Sequence, residues 1–239
     1  PYRSNTHTGN HRCFFGLGLV KSVIRYQLFH DGALATGPFE VGAFVKVGDN
    51  ARAPNLQIYL GGYVFKQSDD NHPVPIAAID HEPGLTIYGQ LLQLDSEGCV
   101  EIRSADPQQP CHIDPNWLAS EHDRTLAVAT VRYLREYVRQ PALRKHLVAE
   151  LLPGDGCQSD EQILAAFHQL ATSGLHGTGT CRMGADAASV VDPQLRVRGV
   201  TGLRVADCSI MPTLISGNTN APAMMVGERA ARFLLDSAG

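Results

Sequence analysis

The chain has 239 residues, 44% of them hydrophobic, with a net charge of −4 and an isoelectric point near 6.2. That is enough apolar material for a sizeable core in one or two domains. It supplies no basic field for nucleic acid or anionic membrane surfaces, and no run of about 18 apolar residues that would span a bilayer.

The six cysteines, Cys13, Cys99, Cys111, Cys157, Cys181 and Cys208, show no CxxC spacing. They are expected as free thiols of a reducing, cytoplasmic setting and not as a metal site, with a periplasmic or secreted location left open. The first residue is Pro1, not Met, and no charged segment followed by an apolar one comes after it. The chain is therefore expected to be the remainder of something longer.

Residues 1–35 read as a loop and a helix leading into the first domain. The stretch 1–12 (PYRSNTHTGNHR) is polar and turn-rich, the composition of an exposed loop. Residues 14–30 are apolar with helical spacing at Val20, Val23, Ile24 and Leu28, and stop at Asp31-Gly32. Gly16-Leu17-Gly18 inside it is not a dinucleotide fingerprint, because Lys21 stands where the third glycine belongs and no strand precedes it. Residues 39–47 alternate, with Phe39, Val41, Ala43, Val45 and Val47 on one face, as a half-buried strand does.

Residues 56–60 and 85–94 read as further strands, and 99–103 as the return of a hairpin across Ser96-Glu97-Gly98. Residues 71–83, rich in proline and polar side chains, read as a loop. Strands that precede any sustained helical pattern point to an antiparallel sheet, not to βαβ units. Ser120 opens a helix with Asp123 three residues on, a carboxylate variant of the capping box. Its inward stripe is Val128, Val131, Leu134 and Val138, and Pro141 ends it. Residues 142–152 read as a second helix, stopped by Pro153-Gly154. Ser159 with Gln162 caps a third, carrying Ile163, Ala166, Phe167 and Leu170 and closing at Gly174.

That helix leads to His176 at the head of a glycine-rich loop, HGTGTCRMG over 176–184. Two β-type runs follow, 195–200 and 203–206, the second ending at Asp207. A helix then begins around Asn218, Thr219 and Asn220, with Pro222 in its first turn, where a missing N–H costs nothing. Ala223, Gly227 and Ala231 give it a smooth face for close packing. Glycines let a backbone approach a flat or phosphorylated ligand, and an acid at a strand end is a common ribose or ribityl contact. Taken singly, His176 reads first as a cap of the Gly174 turn or a backbone contact, and a turn-forming aspartate is the alternative for Asp207. A cysteine nucleophile at Cys181 would need a base within hydrogen-bond reach, and a glycine loop separates it from His176.

Together these residues closely resemble the C-terminal signature of the glucose–methanol–choline (GMC) flavin oxidoreductases. The matching pieces are the histidine before Gly-Thr-Cys-Arg-Met-Gly, Val191-Asp192-Pro193, Leu203-Arg204-Val205, the run from Asp207 to Pro212 and the run from Ser216 to Asn220. The runs 39–44 and 98–107, and Ile113-Asp114-Pro115-Asn116 followed by Asp123, are similar to the family's substrate-domain strands. The resemblance implies an α+β fold. Residues 36–165 would be a substrate-binding domain, an antiparallel sheet flanked by helices, acting as a lid over the flavin. Residues 166–239 would be the C-terminal segment of a Rossmann-like FAD-binding domain that carries the catalytic residues. The family's GxGxxG has no counterpart here, since Arg182 occupies the third glycine's place in the Gly177-Thr178-Gly179 loop. The implied partner is an N-terminal FAD-binding portion, as a separate or cleaved chain.

By the same resemblance the activity is FAD-dependent oxidation of an alcohol to the aldehyde, with hydride passing to flavin N5. His176 would be the general base and Asn218 its partner on the substrate oxygen. Asp207, Cys208, Thr219, Asn220 and Gly177 would contact the cofactor, with the positive end of the last helix near the pyrimidine ring. No metal is implied. Phe44, Tyr59, Tyr63, Phe65 and Tyr88 offer aromatic surface for an aryl or otherwise bulky primary alcohol, and serve equally as core residues. The competing reading is a non-catalytic, flavin-free binding subunit or fragment.

Overall fold

The computed structural model describes residues 1–5, 9–48, 51–65 and 79–238. By contacts it divides into two units, Pro1–Leu91 with Arg124–Thr172, and Leu92–Asp123 with Ser173–Gly239. In chain order the strands are β1 (Tyr2–Ser4), β2 (Val41–Val45), β3 (Leu56–Gly61), β4 (Gly84–Leu91), β5 (Cys99–Glu101), β6 (His112–Asp114) and β7 (Leu147–Glu150). The helices are α1 (Gly16–Phe29), α2 (Glu121–Arg139), α3 (Pro141–Arg144), α4 (Asp160–Leu170) and α5 (Asn220–Ala238). None is long and apolar enough to cross a membrane.

The first unit is an antiparallel sheet in the order β2-β3-β4-β1-β7, flanked by helices, as the α+β reading expects. The register sorts its side chains. Val45 lies opposite Leu56 and Leu56 opposite Leu91, while Ile87 lies opposite Leu60, so branched aliphatic residues share one face. That face packs with Leu126, Ala129, Tyr133, Leu134 and Val138 of α2. Gly89 makes the fit possible, because a Cβ there would sit 2.7 Å from Thr130 Cγ2 and 3.1 Å from Leu56 Cδ1. The opposite face pairs Tyr59 with Tyr88 and Gln57 with Gln90. Phe39 joins it, its ring centroid 5.1 Å from Tyr59 and 5.4 Å from Tyr88.

A buried ion pair ties β7 to α2. Arg135 donates to Glu150 at 2.9 and 3.0 Å and to the Cys157 and Gly154 carbonyls at 2.8 and 3.1 Å. Each guanidinium nitrogen thus has an acceptor, the condition under which a buried pair is tolerated. On α4, Ser159 and Gln162 form the reciprocal capping box anticipated from their spacing, and Ile163 is fully buried beside Val128 and Cys157.

Several expectations need correction. The described residues of the polar segment 1–12 are not an exposed loop: β1 lies between β4 and β7, with Tyr2 8%, Ser4 7% and His11 2% exposed. Residues 84–91 and 99–101 do not form a hairpin, because β4 pairs with β3 and β1 while β5 pairs with β6. Residues 142–152 are not one helix but the single-turn α3 followed by β7. The expected half-buried strand, β2, is exposed at four of its five positions, having among the described residues one neighbouring strand. The proline-rich stretch 71–83 lies outside the described residues up to position 78.

In the second unit the runs 195–200 and 203–206 do not extend into strands. They make isolated bridges, Val191 with Val197 and Arg196 with Arg204. Val191 of the first bridge, Leu195 and Ile210 pack with Val226, Ala230 and Phe233 of α5. The packed stripe is therefore not the Ala223, Gly227, Ala231 face, on which Gly227 and Ala231 are exposed. All six cysteines are free.

Candidate active site

The His176 loop is fixed by backbone bonds to a short 3-10 turn at Cys208–Ile210. Cys181 N–H donates to the Ser209 carbonyl at 2.9 Å and Met183 N–H to that of Ile210 at 2.8 Å. Gly179 takes φ +87°, a conformation that side chains disfavour, and lets the loop turn toward that partner. Asp207 precedes the 3-10 turn and caps it, its carboxylate accepting from Ser209 N–H at 2.7 Å. Cys208 Sγ contacts the Thr219 carbonyl at 3.8 Å, which links this turn to the start of α5.

These constraints bring His176 to the residues that open α5. The amide nitrogen of Asn218 lies 2.9 Å from His176 Nε2, and the Thr219 hydroxyl 2.9 Å from Nδ1. The Thr219 backbone N–H also faces Nδ1, from 3.5 Å, too long to compete with the hydroxyl. His176 is half-buried, Thr219 buried at 8% exposure, and Asn218 exposed. One imidazole is thus gripped at both nitrogens, between an amide open to solvent and a hydroxyl that is not.

The other expected contacts are arranged around this group. Gly177 adjoins His176, and a Cβ there would meet nothing within 4 Å, so the backbone borders open space that a flat ring system could occupy. Asn220 is the exposed first residue of α5. Asp207 spends one carboxylate oxygen on its own turn. Donors, an open glycine and a helix start in one place fit a planar, partly anionic cofactor. Cys181 is held by its backbone in the turn, and His176 is engaged by Thr219 and Asn218, so no cysteine–histidine pair forms.

Two features escaped the sequence reading. Thr219 bears directly on His176, a role no spacing rule announces. Gln93, in the left-handed region at φ 58°, donates to Ser216 Oγ at 2.6 Å and tethers the 216–219 loop. Elsewhere, Asp95, His122 and Asp123 lie close enough to suggest a metal. However, Asp123 accepts from the Asp95 and Ser96 amides at 2.9 Å each, so its oxygens are already committed.

The GMC oxidoreductase family model matches residues 95–227, more than half the chain. The chain belongs to the GMC oxidoreductase family. Among GMC relatives, it is 36% identical over 238 residues to an alcohol dehydrogenase [acceptor] of Pseudomonas putida, covering 97% of this chain and 41% of that protein. It is also 36% identical over 203 residues to an oxygen-dependent choline dehydrogenase of Escherichia coli O139:H28, covering 85% of this chain and 35% of that protein. A formate oxidase from Aspergillus oryzae RIB40 shares the fold with a TM-score of 0.86 at 21% identity, over 99% of this chain and 45% of that one. The chain therefore spans between 35% and 41% of the length of the two curated relatives.

Proposed function

We propose that this chain supplies the substrate-handling and catalytic part of an FAD-dependent enzyme that oxidises an alcohol at its CH–OH group, completed by an N-terminal FAD-binding portion. The observation that carries the reading is the contact of His176 Nε2 with Asn218, on a scaffold whose family includes an alcohol dehydrogenase and a choline dehydrogenase. Bound FAD supplies the acceptor for the substrate's hydride. His176 takes the hydroxyl proton at Nε2. Asn218 does not accept a proton near neutral pH, so its part is to turn its N–H from Nε2 to the substrate oxygen and stabilise the developing alkoxide. Asp207, Cys208, Thr219, Asn220 and the Gly177 backbone line the cofactor's place.

The substrate we favour is a primary alcohol with an aryl or otherwise bulky group. The test is a visible spectrum of the purified holoprotein that contains this chain, followed anaerobically. Flavin bands in the blue that bleach on adding a benzylic or aliphatic primary alcohol support the reading. A protein that binds no flavin, or whose flavin no alcohol bleaches, would return it to a binding subunit.

A further inference from the structure

We infer that Thr219 is a positioning residue for His176: its hydroxyl accepts the Nδ1–H and so leaves the lone pair on Nε2. The inference rests on the base role proposed for His176 and specifies which nitrogen performs it.

A neutral imidazole carries one N–H, and its two nitrogens cannot both accept or both donate. Asn218 presents an amide N–H to Nε2 at 2.9 Å, a bond that requires a lone pair on Nε2. With the Asn218 amide so placed, the proton falls on Nδ1, where the Thr219 oxygen at 2.9 Å receives it and the Thr219 backbone N–H, aimed at the same nitrogen from 3.5 Å, is the weaker contact and yields. Thr219 is suited to hold that position. It is 8% exposed, and its carbonyl accepts from Ala223 N–H at 2.9 Å in the first turn of α5 and meets Cys208 Sγ at 3.8 Å. The ring orientation is thereby referred to a packed helix, while the solvent-facing side stays free to exchange Asn218 for a substrate hydroxyl. Without the threonine oxygen the proton would distribute between the nitrogens, and molecules with Nε2–H could not act as base. A hydroxyl serves better here than a carboxylate would, because it fixes the tautomer and adds no negative charge beside the site.

The test uses the FAD-loaded holoprotein with Thr219→Val, close to isosteric, and Thr219→Ser, which keeps the oxygen. Nitrogen-15 spectra of selectively labelled histidine, assigned with His176→Gln, report the tautomer, and anaerobic mixing with substrate reports flavin reduction. The expected result is Nδ1–H in the parent and in Thr219→Ser, and mixed protonation in Thr219→Val. Flavin reduction by Thr219→Val should slow by about 10- to 100-fold, the scale of a misplaced catalytic group, with Thr219→Ser restoring most of the rate. An Nε2–H tautomer in the parent, or Thr219→Val with unchanged spectra and rate, would overturn the inference. If Thr219→Val fails to fold, the parent spectrum and Thr219→Ser still decide it. Failure of the base role itself reads differently: His176→Gln would then reduce its flavin at the parent rate, whatever the tautomer in the parent.

Discussion

Hydrogen placement decides what the His176 group can do. In the proposed function, an amide N–H on Nε2 and a hydroxyl oxygen on Nδ1 make His176 a base whose working nitrogen is masked by a neutral, exchangeable donor. Asn218 is the part that must move, and it is the exposed one. Asn218→Ala should therefore retain its flavin yet lose about 10²–10³-fold in the limiting rate of anaerobic flavin reduction, the usual loss when one oxyanion donor is removed. An unchanged limiting rate with only weakened substrate binding would confine Asn218 to ground-state contact. That His176 and Asn218 would meet was legible in the sequence because the run of residues around each is long and ordered. The Thr219 contact was not, since spacing gives neither a rotamer nor the nitrogen it meets. Gln93 was less legible still, as it reaches Ser216 from a backbone conformation that a non-glycine residue rarely adopts.

Elements were readable where a cap or a period spoke clearly. The Ser159–Gln162 box holds because it depends on residues a turn apart, whereas the α2 stripe divides, Leu134 and Val138 facing the sheet and Val128 and Val131 packing with Cys157 and Ile163. Residues 142–152 misled because apolar residues at helical spacing compete with a strand partner invisible locally: β7 pairs with β1, whose polar Tyr2-Arg3-Ser4 disguises a buried strand. At the start of α2, Ser120 caps as expected, its hydroxyl accepting from Asp123 N–H at 3.0 Å, but the Asp123 carboxylate turns to the Asp95 and Ser96 amides. Burial pushes that carboxyl up, and the Ser96 hydroxyl with these amides outweighs it, so it sits below the usual carboxylate range. A depressed carboxyl contributes stability that is complete above about 3.9, its unfolded value, and is lost as pH falls through the folded value. Asp123→Asn should thus cost about 1–3 kcal/mol near neutrality, read from urea unfolding, with the gap to the parent closing below about pH 4. A gap that stays constant on acidification would show that the charge is not what these amides hold.

Across the molecule, the two units draw on different kinds of information. The first rests on a sheet whose faces follow from alternation: aliphatic residues toward α2, and Phe39, Tyr59 and Tyr88 on the other side. The second has little regular structure beyond α5 and the β5–β6 pair, and its core of Val191, Leu195, Ile210, Val226 and Ala230 supports the loop and the helix start to which the proposed chemistry is assigned. Irregular backbone of this kind is poorly forecast by periodicity, which is why bridges there were read as strands. The match of the family model across it supplied what periodicity could not. The claim on which the account depends is that His176 removes the substrate proton, and the most direct measurement is the limiting rate of anaerobic flavin reduction by an alcohol in His176→Ala holoprotein. The account predicts a loss of about 10²–10⁴-fold with flavin still bound; reduction at close to the parent rate would contradict it.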